Sequence, residues 1–238
     1  MPLPKISTPL YELEIPSTKK KIKYRPFLVK EEKILILAME SEDPKQIASA
    51  VKNVISSCIA TRGVKVEKLA TFDIEYLFLN IRGKSVGEDV EVMITCPDDE
   101  ETKVPVTIHL DEINVEIDEN HSRDIKLDEN LTLRMKYPSM SEFIQTNFTP
   151  DKVTVEDTFE LITKCIEQIY SEEESWAASD STKKELTDFI EQLSSKQFKQ
   201  IEGFFETMPK LSHTFNVTNP KTGVDNEMTL EGLQSFFG

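Results

Sequence analysis

An α+β fold built on antiparallel sheets is predicted by three features of the 238-residue sequence. Apolar and polar residues alternate near both ends and through the middle, the period of a half-exposed strand. Between these stretches apolar residues recur every three or four positions, the period of an amphipathic helix. Turn and capping residues stand where one period gives way to the other. The expected order is an N-terminal β-hairpin with a helical hairpin (1–87), then a central antiparallel acidic sheet (88–138). A helical region ending in a β-hairpin and a short helix (139–238) completes it.

The opening hairpin is read from residues 10–15 and 20–27, joined by the turn signal Pro16-Ser17-Thr18. Ile22 and Tyr24 share one face of the return strand. Pro9, Pro16 and Pro26 bound the strands, which suits an edge position.

Residues 24–59 organise the N-terminal half. Residues 34–39 contain no polar position, so a helix there is apolar all round and is covered by its neighbours or by a partner. We expect it to be buried within the fold, so that Leu37→Asp would prevent folding. After a break, Ile47, Val51, Val54, Ile55 and Cys58 form the stripe of a second helix, with Asp43 as its cap and Pro44 in its first turn. The short connection predicts an antiparallel helix pair as the folding core. A third helix over 72–81 carries Ile74, Leu77, Phe78 and Ile81 on one face and is ended by Gly83 and Gly87.

From Val90 the period is two. Val90, Val92 and Ile94 are answered by Val104, Val106 and Ile108 across the polar turn 96–101. Ile113, Val115 and Ile117 suggest a third strand, and Ile125, Leu127, Leu131, Leu133 and Met135 a further hairpin around Asp128-Glu129-Asn130. Pro138 ends the sheet, and Phe143 and Ile144 mark a short helix. Val155, Phe159, Ile162, Ile166 and Ile169, at 4-3-4-3 spacing, predict one amphipathic helix. Trp176 is expected to be exposed or half-exposed beside a polar loop. Thr182 with Glu185, and Ser194 with Gln197, match capping boxes opening two more helices. Leu211, His213, Phe215 and Val217 then alternate, and Asn219-Pro220-Lys221-Thr222-Gly223 is a turn. Thr229 is expected to cap a last helix bearing Leu230, Leu233, Phe236 and Phe237. Phe215, Leu233, Phe236 and Phe237 should form one apolar cluster.

Charge narrows the function. The net charge is −15, and residues 88–130 hold 15 Asp or Glu against three basic residues. Such a chain repels nucleic acid. Residues 1–37 are the exception, with 8 Lys or Arg against 4 Glu. No apolar run reaches the roughly 20 residues of a membrane span, and the N-terminus lacks a signal-peptide layout. Cys58, Cys96 and Cys165 are odd in number and far apart, so a disulfide framework is not expected. Gly83-Lys84-Ser85 lacks the upstream glycine of a phosphate-binding loop, since position 78 is Phe. His109, His121 and His213 are not at zinc spacing, and no nucleophile stands with a base. No catalytic, cofactor or metal site is therefore assigned, and a metal-dependent enzyme is a remote alternative. The candidate partner-binding residues are Lys19, Lys20, Lys21, Lys23, Arg25 and Phe27 in the basic ribbon, Trp176, and Phe215, Phe236 and Phe237 at the aromatic C-terminus.

Three runs carry a resemblance. They are Leu3-Pro4-Lys5-Ile6 through Pro16-Ser17-Thr18, then Arg25-Pro26-Phe27-Leu28-Val29-Lys30-Glu31-Glu32-Lys33, and lastly Val217-Thr218-Asn219-Pro220-Lys221-Thr222-Gly223 with Thr229-Leu230-Glu231-Gly232-Leu233-Gln234. Together they resemble the T4-type phage baseplate hub and hub-assembly protein family, across essentially the whole chain. The resemblance implies a non-enzymatic protein that joins or builds the hub of a contractile tail baseplate. Its partners would be other hub or tail proteins. An alternative is a chaperone for the tape-measure protein. The host cytoplasm would be its place during assembly, and the virion its destination if it stays in the particle.

Overall fold

The computed structural model describes residues 6–41, 43–139 and 154–232. It is α+β, with six α-helices and four small antiparallel sheets among the described residues. Contacts divide the chain into two units. One comprises 1–116 and 210–238, and the other 117–209.

The first unit opens with the hairpin β1 (Tyr11–Glu14) and β2 (Lys21–Tyr24), with Leu13 opposite Ile22 and Tyr11 opposite Tyr24. Alternation sends Ile22 and Tyr24 into the core and leaves Lys21 and Lys23 outside. Helices α1 (Val29–Glu40) and α2 (Pro44–Cys58) follow and pack on each other. The strand β2 docks on the far end of α2. Arg25 N–H donates to the Cys58 carbonyl (2.9 Å) and Ala60 N–H to that of Lys23 (2.8 Å).

The stripe of α2 behaves as its spacing predicts, for Val51, Val54, Ile55 and Cys58 are all buried. The apolar block of α1 does not. Ile34, Ile36, Leu37 and Met39 are exposed, and only Ala38 and Glu31 of this helix are buried. A helix has one side to lay on its neighbour, and α1 lays the side of Glu31 and Ala38. The remaining apolar faces are left uncovered. The helix buried nearly all round is instead α3 (Thr71–Val86), whose Phe72, Ile74, Leu77, Leu79 and Ile81 are all inside. Gly83 lies within α3 rather than ending it, close to Leu110, and Gly87 caps the end.

The strands β3 (Asp89–Thr95) and β4 (Lys103–His109) form the expected hairpin, Val92 opposite Val106. The next strand, β5 (Asn114–Glu116), does not join them. It pairs with β10 (Lys210–Thr218), which pairs in turn with β11 (Asp225–Glu231). Leu79, Ile108, Leu110, Ile113 and Leu211 form a cluster beneath these strands, with Phe215 and Leu230 packed on it. Thr229 and Leu230 belong to β11, Thr229 opposite Thr214, so the expected helix cap at Thr229 is not formed. A strand of alternating burial is the better use of Met228 and Leu230 when β10 offers a partner. The short helix and the cluster members Leu233, Phe236 and Phe237 fall outside the described residues, as do Phe143 and Ile144.

The second unit has the sheet β6 (Asp124–Lys126), β7 (Thr132–Met135), β8 (Ile166–Tyr170) and β9 (Ser175–Ala177), in that order. Helices α4 (Val155–Cys165), α5 (Lys183–Glu191) and α6 (Ser195–Thr207) accompany it. The single helix expected through Ile169 stops at Cys165. Ile166, Gln168, Ile169 and Tyr170 are instead strand, paired to β7 with Leu133 opposite Ile169. A regular strand would turn Ile166 and Ile169 to opposite faces, but a shift of register between Arg134 and Met135 leaves both in one core with Ile162, and β-branched residues beside a waiting strand take the sheet. The two capping boxes are in place. Thr182 N–H donates to the Glu185 carboxylate (2.7 Å) and Ser194 N–H to the Gln197 side chain (2.9 Å). Contact thus divides residues 88–138 at 116/117 and returns 210–231 to the N-terminal unit, because β5 and β10 are sheet neighbours.

Candidate functional site

The basic ribbon is partly surface and partly internal. Lys19, Lys20 and Lys21 are exposed, and Lys23 reaches Glu12 across the hairpin at 3.3 Å. Arg25 turns inward. Its guanidinium lies 2.9 Å from Glu31, donates to the Pro26 carbonyl (2.8 Å) and lies over Cys58 Sγ at 3.8 Å. Glu31 is only 3% exposed and also accepts from the Leu28 N–H at 2.8 Å. Burial alone would raise the carboxyl pKa of Glu31. The hydrogen bonds from Arg25, Leu28 and Lys30, with the charge of Arg25, outweigh it and bring the pKa below the ordinary value. Arg25 is therefore a tether fixing the start of α1 to the end of α2. Phe27, half-buried, donates its N–H to Ser85 Oγ at 2.9 Å and is held to α3.

What those two anchors present is the outer side of α1. Val29 is 80% exposed, Met39 68%, Leu37 54% and Ile36 52%, with Ile34 and Leu28 also exposed. Val29, Lys33, Ile36, Leu37 and Glu40 fall at i, i+4, i+7, i+8 and i+11, on one face. Lys30 and Ile34 lie alongside. Lys30 and Lys33 are exposed. Scattered exposed apolar side chains are ordinary, but contiguous ones on one helix mark an interaction surface. Sequence reasoning put this block in the core. The signal against that was present in its flanks, since Lys30, Lys33 and Glu40 would have been carried inside with it.

Of the remaining candidates, Trp176 is exposed (45%) on the edge strand β9 of the second unit. Phe215 is half-buried on the first unit's core and stacks on His213, centroids 5.5 Å apart. Phe236 and Phe237 lie outside the described residues.

The turn runs singled out in the sequence meet in the first unit. Asp98 accepts from Asn219 Nδ2 (2.9 Å), Thr222 Oγ1 (2.5 Å) and Asn226 Nδ2 (3.1 Å). These bonds hold its pKa below the ordinary carboxylate range. Lys221 completes the latch, 3.2 Å from Glu101 and 3.6 Å from Asp99. Gly223, at φ +76°, lets the β10–β11 turn close without steric cost. Cys96, beside this turn, is fully buried.

The histidines are bound into structure. His109 meets Asp89 at 2.6 Å, which raises its pKa. His121 lies between Thr207 Oγ1 (3.0 Å) and Tyr137 Oη (3.1 Å), against the Phe204 ring, and burial lowers its pKa. A cleft of about 760 Å³ in the second unit is lined by Arg134, Lys136, Lys164 and Lys183. Lys164 and Lys183 both pair with Glu160, and Arg134 with Asp124. Among the described residues no group of three or more His, Cys, Asp or Glu is placed to hold a metal ion, and no helix is long and apolar enough to cross a membrane.

Comparison with known proteins gives one result. The sequence profile of the family described as T4 bacteriophage base plate protein matches residues 8–238. No curated protein and no solved structure matches the chain.

Proposed function

The chain belongs to the T4 bacteriophage base plate protein family, and from that premise we propose that it is a structural or assembly protein of the baseplate's central hub, working by protein–protein contact and without catalysis. The observation that carries this reading is the outer side of α1. Val29, Ile36, Leu37 and Met39 are apolar and in water, while the start of the helix is pinned by the Arg25–Glu31 pair and its last turn is capped by the Ser41 hydroxyl on the Ala38 carbonyl. A pinned apolar face is pre-organised for a partner, because little order is left to be imposed on binding. Membership of the family implies contact with other baseplate proteins. The same face also favours a second reading, in which the chain holds helices of the tape-measure protein in solution.

Mass spectrometry of purified particles set beside infected-cell lysate tests the first reading. A fixed copy number in particles identifies a hub component. Absence from particles with abundance in lysate identifies an assembly factor. Co-expression with hub proteins and with the tape-measure protein, followed by pull-down, separates the two partner readings. A wild-type chain that binds neither, in particles lacking nothing when its gene is deleted, would remove both.

A further inference from the structure

We propose that the outer face of α1 receives an amphipathic helix of another protein whose apolar stripe is flanked by carboxylates. This rests on the reading of the chain as a baseplate protein and specifies its contact. Three observations select such an occupant. The exposed face is linear, about three turns of helix from Val29 to Met39, with Ile36 and Leu37 in its C-terminal half. A rod-like stripe of this kind is matched by another helix, read at i, i+3, i+4 and i+7 spacing. The exposed cations beside that stripe, Lys30 (also 3.3 Å from Glu31) and Lys33, sit in the N-terminal half of the helix, with the half-buried Glu32 between them. The ribbon leading to it adds exposed Lys19, Lys20 and Lys21. This is the basic end of a chain whose net charge is −15.

Charge also argues against the other occupants. An anionic membrane surface would meet Lys30 and Lys33 but be repelled by the strongly negative remainder. A second copy would bring the same lysines against one another unless the helices ran antiparallel, where Glu40 and the half-buried Glu32 of each helix are the available counter-charges. A partner helix rich in Glu meets both the apolar stripe and the lysines. The charges would set orientation and the rate of encounter, and the apolar side chains the lifetime.

The test uses the full chain and three synthetic helices of equal length. One carries Leu at a and d with Glu at the flanking e and g positions, one carries the same Leu with Lys, and one carries Glu with Ser in place of Leu. Fluorescence anisotropy should show the Leu/Glu helix binding at least about tenfold tighter than either other helix, a preference that shrinks as salt screens the charges. Ile36→Ser with Leu37→Ser should abolish this binding while leaving the thermal midpoint within a few degrees. Lys30→Glu with Lys33→Glu should reverse the preference. Equal binding of the Leu/Glu and Leu/Lys helices, or binding that survives Ile36→Ser with Leu37→Ser, overturns the proposal. So does sedimentation with phosphatidylserine vesicles that those substitutions abolish, which would make the face a membrane contact. A wild-type dimer dissociated by the same substitutions would assign it to a second copy. Because none of these measurements uses a phage particle, their failure leaves the baseplate reading to stand or fall on the particle composition.

Discussion

Removing the carboxylate of Glu31 leaves Arg25 charged in a crevice shared with Cys58 and cut off from its counter-ion. Glu31→Gln should therefore cost roughly 3 kcal/mol at neutral pH, at the low end for a broken buried pair because Arg25 keeps some water. The pH dependence follows from the sign of the shift. The Glu31 pKa is lower folded than its ordinary 4.5, so its contribution is complete above that value and is lost as pH falls through the folded pKa. Thermal midpoints of wild type and Glu31→Gln should converge on acidification, and parallel curves would show that the pair is not coupled to folding. Asp73 pulls the other way. Burial raises its pKa against hydrogen bonds from Ser17 and Ala70. It thus contributes most below its ordinary 3.8 and less as pH rises, which tempers the acid loss from Glu31. Neither role was visible in the sequence, where both residues are acids near the start of a helix.

Two helices with apolar sequences end in opposite surroundings, and their substitutions should differ accordingly. Leu37→Ser on α1 should change stability by less than about 1 kcal/mol, since the side chain is already half in water. Leu77→Ala on α3, at a fully buried position, should cost roughly 2–5 kcal/mol. Chemical denaturation of the two variants decides this, and a large loss for Leu37→Ser would return α1 to the core. At the two helices opened by Thr182 and Ser194 the sequence spoke clearly. Thr182→Ala and Ser194→Ala should each cost about 1 kcal/mol, because each hydroxyl accepts the N–H three residues on. Caps are local, one residue answering another four positions or fewer away, and so they were readable. So were the hairpins at β1–β2, β3–β4 and β10–β11, whose partners are adjacent in the chain. What depended on distant residues was not. Ile166 and Ile169 keep the spacing of a helix, and only the presence of β7 beside them makes a strand. The pairing of β5 with β10 spans nearly a hundred residues, and no periodicity announces it. The docking face was misread for the same reason, since exposure is decided by what the rest of the chain fails to cover.

The second unit, 117–209, has its own sheet, a core from Ile125 to Phe204 and, among the described residues, three α-helices. Its two ends are joined within it, His121 to Thr207. Expressed alone, it should melt in one cooperative transition. A fragment without that transition would show that it borrows stability from the remainder. The first unit cannot be isolated in one piece, because β5 and β10 lie on either side of the inserted segment. This has a consequence for synthesis. While residues 117–209 are emerging from the ribosome, β5 has no neighbour, and Ile113 and Leu110 wait without Leu211 above them. The inserted unit can finish first, whereas the unit bearing the docking helix is completed only when 210–231 have left the exit tunnel. At roughly 5–20 residues per second the wait is on the order of ten seconds. A chain broken off anywhere in the insertion would never close that sheet, and quality-control proteases would meet it before a partner did.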